Sequence, residues 1–160
     1  MSDDLLGDES PPLRFRTRVV EDGYAYWASK CVDGRLPSRQ DINPLEIPRL
    51  MPHVAIVDVR HEPEMDFFYR LQGTYIVEHL YQDHSGKWFS EIPHQKPPSQ
   101  IWSNCAKVVE SKMPLLANTP YVGPQSSFRD LEDLILPLSS DGELVDSLLV
   151  FVCYLPRSNT

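Results

Sequence analysis

Residues 67–92 read FFYRLQGTYIVEHLYQDHSGKWFSEI, and the architecture of the chain follows from them. Phe67, Tyr69 and Leu71 alternate with Phe68 and Arg70. A period of two is that of a strand with one buried face. Gly73 stops the strand, because a residue without a Cβ accepts a sharp change of direction. Thr74 stands where its hydroxyl can cap a helix start. Ile76, Val77, Leu80 and Tyr81 recur at helical spacing and predict one short amphipathic helix. Asp83 to Gly86 reads as a turn, and Trp88, Phe89 and Ile92 add large apolar surface on an irregular segment.

Toward the carboxy end, Pro93 to Pro98 is a loop and Ser99 caps a predicted helix running to Lys112. Its stripe is Ile101, Trp102, Cys105, Val108 and Val109, with Trp102 expected to point toward whatever the sheet encloses. Leu115 to Val122 is a strand with Pro120 inside it, which belongs at a sheet edge. Phe128 to Leu138 is a strand whose apolar face alternates at Leu134, Leu136 and Leu138. Ser139 to Gly142 is a hairpin turn. Leu144 to Leu155 is apolar on both faces, so it belongs inside the sheet.

Toward the amino end, Val54 to Val59 is a strand joined to Phe67–Leu71 through a turn at His61–Glu64. Val20, Tyr24, Trp27 and Cys31 fall at i, i+4, i+7 and i+11, a helix stripe, with Glu21 and Asp22 favourable to the dipole of its first turn. Gly34 is its stop signal, and a connector broken by Pro37, Pro44, Pro48 and Pro52 follows. Residues 1–19 read as a flexible tail: an acidic segment with Leu5 and Leu6, then most of the alternating apolar and basic run Leu13–Val20. The expected divisions are therefore 1–19, the helix and connector 20–52, and a core 53–156. The class is α+β: a five-stranded antiparallel sheet with helices on one face, plus an N-terminal helix.

Strand, Gly73-Thr74, short helix, Asp83-x-x-Gly86-Lys87 and a following hydrophobic residue resemble a PAS sensory domain. Trp27, the run Gly34-Arg35-Leu36-Pro37-Ser38-Arg39-Gln40-Asp41-Ile42-Asn43-Pro44, and Pro137-Leu138-Ser139-Ser140-Asp141-Gly142 narrow the resemblance to stand-alone bacterial PAS proteins. It spans about Tyr24 to Tyr154, with Gln82 standing where such proteins often carry Gly. The resemblance implies bacterial signalling through a separate output molecule. It also implies a homodimer formed by the first helix and the open sheet face, for which Tyr24 and Trp27 are the candidate contacts. Arg35, Arg39 and Asp41 match the family pattern and read first as structural pairs within the connector.

Composition narrows the chemistry. Of 160 residues 41% are hydrophobic and 24% charged, an ordinary globular balance that excludes wholesale disorder. A net charge of −8 disfavours nucleic acid, whose phosphates want clustered Lys and Arg. The cysteines Cys31, Cys105 and Cys153 are odd in number and widely spaced, which fits buried thiols in a reducing compartment. No secretory leader and no membrane-length apolar run is visible, so a cytoplasmic location is expected. Among the histidines His79 and His84 are off the i, i+4 register that places two metal ligands on one helix face. Asn104-Cys105 lacks the partners of a flavin-adduct cysteine, and neither His79 nor His94 has a haem setting around it. No flavin or haem signature results, and the cofactor is left unknown.

A curved sheet with short helices across one face encloses an apolar space. Its expected liners are Tyr69, Leu71, Ile76, Trp88, Trp102 and Tyr121, which could equally fill the space themselves. The reading is a sensory and regulatory domain that binds a small molecule, a protein partner, or both. Two alternatives stand beside it: a small enzyme using a cavity His or carboxylate, with Asp83 and Glu91 the acids nearest the helical side, and a ligand-free adaptor with a packed interior.

Overall fold

The structure is a computed structural model that describes residues 13–121, 123–125 and 127–156. Residues 1–12, which include Leu5 and Leu6, and Val122 of the expected third strand lie outside the described residues. Among those described, five strands form one antiparallel sheet: β1 Val54–Arg60, β2 Asp66–Gln72, β3 Leu115–Pro120, β4 Phe128–Leu138 and β5 Ser147–Pro156. Their order is β2-β1-β5-β4-β3. The most apolar strand, β5, therefore sits in the middle, where both its faces are covered. The Pro120 strand, β3, sits at an edge, where a missing amide donor is tolerated.

Three α-helices lie among the described residues: α1 Arg18–Ser29, α2 Thr74–Leu80 and α3 Gln100–Ser111. The pleat sends alternate residues of each strand to opposite faces, and each face has its own core. The inner core joins Val57, Phe67, Tyr69, Ile135, Val150 and Val152 to Ile76 of α2 and to Cys105, Val108 and Val109 of α3. The outer core joins Val54, Ile56, Leu134, Leu136, Leu138, Leu149 and Phe151 to Val20 and Trp27 of α1 and to Ile42, Ile47 and Leu50 of the connector. The face expected to be open is thus covered by the chain itself. Trp27 is only 6% exposed, and its Nε1 donates to the Pro137 carbonyl at 3.0 Å. This corrects the expectation of Trp27 as a dimer contact, because its surface is already buried against the sheet. Tyr24 is half-buried beside Phe15 and Trp27.

Part of the expected tail is also part of this packing. Thr17 caps α1 by accepting from the Val20 amide, and Arg18 and Val19 already belong to the helix. The Arg16 and Thr17 amides and the Thr17 hydroxyl all donate to the buried Glu132 carboxylate, at 2.6, 3.0 and 2.7 Å. Within α1, a Cβ at Gly23 would lie 2.6 Å from the Phe151 ring, so the helix backbone rests directly on the sheet. The connector is tied polar group by polar group. The Asp41 carboxylate accepts from the Ser38 amide, Arg35 donates to the Asp141 carbonyl, and Arg39 and Arg70 both pair with Asp58. These bonds serve a backbone that proline keeps out of regular ladders.

Three local expectations are corrected. Gly73, not Thr74, is the N-cap of α2, and Thr74 is its first helical residue. Gly73 has an ordinary φ of −67°; its role is close approach, since a Cβ there would stand 2.3 Å from the Pro52 carbonyl oxygen. The hairpin after β4 is longer than Ser139–Gly142, because the Asp141 carboxylate accepts from the Glu143 and Leu144 amides and folds them into the loop. β5 accordingly begins at Ser147, and Leu144 is exposed.

Candidate functional site

A bulge shapes the site. Ile56 of β1 pairs with Leu71 of β2, but Val57 pairs with Tyr69, so Arg70 is an extra residue. An inserted residue shifts the alternation by one. Leu71, expected on the face of Phe67 and Tyr69, therefore turns to the other face and is 36% exposed, while Gln72 turns inward and is buried. Gln72 then holds the turn after α2: its Oε1 accepts from the His84 amide at 2.8 Å. The turn docks back on β2, with the Gly86 amide donating to the Tyr69 carbonyl at 2.8 Å and the Tyr69 amide donating to Lys87 at 3.0 Å. Gly86 has φ +84°, the left-handed conformation that glycine takes without strain.

Between the inner face and the two helices lies a cavity of about 280 Å³. The sheet contributes Ala55, Val57, Val150, Val152 and Leu131; α2 contributes Ile76 and Leu80; α3 contributes Gln100, Ile101 and Cys105. Polar groups converge on this apolar space. The Tyr69 hydroxyl donates to Gln95 Oε1 at 2.9 Å, and Gln100 Nε2 donates to Asn104 at 2.8 Å. Thr119 of β3 donates its hydroxyl to both oxygens of Asp133 of β4, at 2.9 and 3.0 Å. Asp133 is 1% exposed, and burial pushes its carboxyl up to about 6. Burial likewise pushes Tyr69, Tyr154 and Cys105 up, and lowers His94 at the cavity wall.

Of the expected liners, Tyr69 and Ile76 reach the cavity. Leu71 is on the opposite face for the reason given. Trp88 packs at a tilt against Phe68 at the sheet margin, ring centroids 5.0 Å apart, with the Arg60 guanidinium 4.8 Å from its own ring. Trp102 packs edge-on against Phe67 at 5.0 Å, and its neighbours Gln100 and Ile101 meet the cavity instead. Tyr121 closes one flank: its hydroxyl donates to the His79 carbonyl at 2.6 Å, and its ring stands 5.3 Å from Tyr154.

The acids expected near the helical side are elsewhere engaged. Asp83 is exposed and accepts from the Ser85 amide; Glu91 is exposed and accepts from the Trp88 amide. Asp133 is the buried acid instead. The signal for it is the alternation Leu131, Asp133, Ile135, one step out of phase with Leu134, Leu136 and Leu138 on β4. His79 stacks on Tyr154 with its Nδ1 2.7 Å from the Tyr75 carbonyl. Among the described residues no group of three or more His, Cys, Asp or Glu is placed to hold a metal ion, and no helix is long and apolar enough to cross a membrane.

A family model described as PAS domain matches residues 16–152. Among solved structures, the chain is similar to a sensory box sensor histidine kinase from Vibrio cholerae. The two are 15% identical, the match covers 71% of this chain and 92% of that one, and the TM-score is 0.48. No curated protein matches the chain.

Proposed function

This chain belongs to the PAS domain family, and we propose that it is a sensor that holds a small ligand in the cavity and passes occupancy on to a protein partner in the cytoplasm. The observation that carries this reading is the cavity itself: about 280 Å³, walled by aliphatic side chains, with a few polar groups aimed inward. That is the usual composition of a small-molecule site. The filled interior of a pure adaptor would not leave such a space, because packed cores rarely hold voids larger than a water molecule.

The route outward runs through α2. Its Ile76 and Leu80 face the cavity, its first turn is pressed on Pro52, and its last turn accepts the Tyr121 hydroxyl. A ligand touching Ile76 and Leu80 favours one placement of this short helix over others, and the shift in population is the signal. The exposed side of α1 and the loops at the ends of the sheet are the surfaces left for a partner or a second copy. Binding, not turnover, is the proposed act.

Native mass spectrometry of protein purified from its own host tests the reading. A stoichiometric small-molecule adduct, lost on denaturation, is expected. A ligand at one hundred times its Kd also raises stability by about 2.7 kcal/mol, visible as a shift in melting temperature. An adduct-free protein whose melting temperature ignores a broad metabolite panel would favour the adaptor. Light scattering at rising concentration tests the homodimer, with a mass that stays monomeric as the contrary result.

A further inference from the structure

We propose that the cavity selects ligands with an apolar body and a protonated amine, the amine seated on the Asp133 carboxylate. The inference rests on the cavity being a ligand site and adds what it takes.

Four observations point the same way. Asp133 faces the cavity from the sheet and is 1% exposed. Its carboxylate oxygens accept from the Thr119 hydroxyl, and the Thr119 and Asp133 amides lie close enough to favour its charged form, but each of these donors is neutral. Among the described residues no Lys or Arg lines the cavity, and Asp133 is in none of their ion pairs. Among the described residues Asp133 is also the single carboxylate of that lining. A buried carboxylate needs a counter-charge or several donors. Here the described residues supply neutral donors but no counter-charge, so a charge complement comes from the occupant. An anionic ligand would meet an uncompensated like charge, and a cationic one would neutralise it.

Size sets the body of the ligand. A cavity of about 150 Å³ takes a benzene ring. At about 280 Å³ this one has room for a ring and a short chain. Val57, Val150 and Val152 supply apolar contact beside the acid.

Protonation supports the assignment. With its carboxyl lifted to about 6, Asp133 is ionised at pH 7 and neutral by pH 5. The titratable groups facing it are Tyr69 from β2, Cys105 from α3 and Tyr154 from β5, with Glu132 beside it on β4. The first three are pushed up by burial and stay neutral across this range. His94 lies on the cavity wall, and its protonation in acid would oppose a cation in the same direction.

The test is calorimetric titration of the full chain with three probes of one shape: 2-phenylethylamine, 2-phenylethanol and 3-phenylpropanoate. At pH 7 the amine should bind about tenfold or more tighter than the alcohol, as a charge-assisted hydrogen bond to a buried acid provides, and the carboxylate should bind weakest. In Asp133→Asn, with its fold verified by circular dichroism, the amine should drop to the level of the alcohol. In the wild type its affinity should fall by about tenfold per pH unit below 6, a slope that Asp133→Asn flattens to whatever His94 contributes. Alcohol binding as tightly as the amine to the wild-type protein would overturn the proposal and leave the ligand site standing. So would an amine preference that persists in Asp133→Asn. Failure of every probe to bind would count against the ligand site itself, and the amine assignment would fall with it.

Discussion

Glu132 and Asp133 are neighbours on β4, each 1% exposed, and they face opposite sides of the sheet. Glu132 looks outward and receives two amides and a hydroxyl from Arg16 and Thr17. It anchors the start of α1 and has its hydrogen bonds made within the chain. Asp133 looks inward, is held by its own strand pair through the Thr119 hydroxyl and nearby amides, and borders a cavity. The same contrast holds for whole faces. Outside, Trp27, Phe151 and the leucines of β4 interlock so closely that α1 has room only for a glycine over Phe151. Inside, the sheet and two helices stand apart around about 280 Å³. The outer face is closely packed, and the inner face leaves a buried polar group beside an open space.

Mutations on the two faces should therefore behave differently. Trp27→Ala removes the largest side chain of α1 from the outer core and its hydrogen bond to Pro137. Urea unfolding should show a loss of about 3–5 kcal/mol, as for other buried aromatics. A loss below about 1 kcal/mol would mean that the outer core is looser than described.

The paired acids should give effects of opposite sign. Glu132→Gln keeps the shape but turns an amide nitrogen toward donors, and should cost about 2 kcal/mol in urea unfolding. Asp133→Asn should instead stabilise at pH 7. The ordinary value for the group is 3.8 and burial raises it to about 6. Between those values the folded chain holds a proton that the unfolded chain has released. The stability tied to this group is present in full below about pH 4 and disappears as pH rises through about 6. An asparagine has no such proton to lose, so the gain should be about 1–3 kcal/mol at pH 7 and should close by pH 4. A destabilised Asp133→Asn at pH 7 would place Asp133 with Glu132 as a structural anchor.

Successive residues of β5 give the smallest contrast. Leu149 packs outward and Val150 borders the cavity. Leu149→Phe should cost about 1–3 kcal/mol by overpacking. Val150→Phe has space to enter, so its melting temperature should stay near that of the wild type while ligand binding is lost. Equal costs at the two positions would show that the inner space closes up in solution.

Much of this was legible in residues 67–92 and in the last strand. The turn at Asp83–Gly86 returned where expected, and a strand apolar on both faces took the centre of the sheet. The lining of the site was less legible. One inserted residue, Arg70, exchanged Leu71 for Gln72, and nothing in a period-two pattern shows where a bulge falls. Trp102 and Tyr121 are expected liners, yet each is engaged by its own neighbours beside the cavity. Asp133 was hidden because apolar residues mark a core face, and a single acid among them reads as an interruption of the pattern. The family resemblance offers Trp27 as a dimer contact, and a helix stripe by itself states that one side is covered, not what covers it.

Local sequence was enough to set the strands, the helices and the central place of β5, because backbone propensity and side-chain alternation act over a few residues. Which face is filled and which is hollow, and which of two adjacent acids is satisfied, depended on segments more than a hundred positions apart, such as Thr17 and Glu132. Packing and the pairing of buried polar groups are relations between distant parts of the chain, and they exist only once the sheet has brought those parts together.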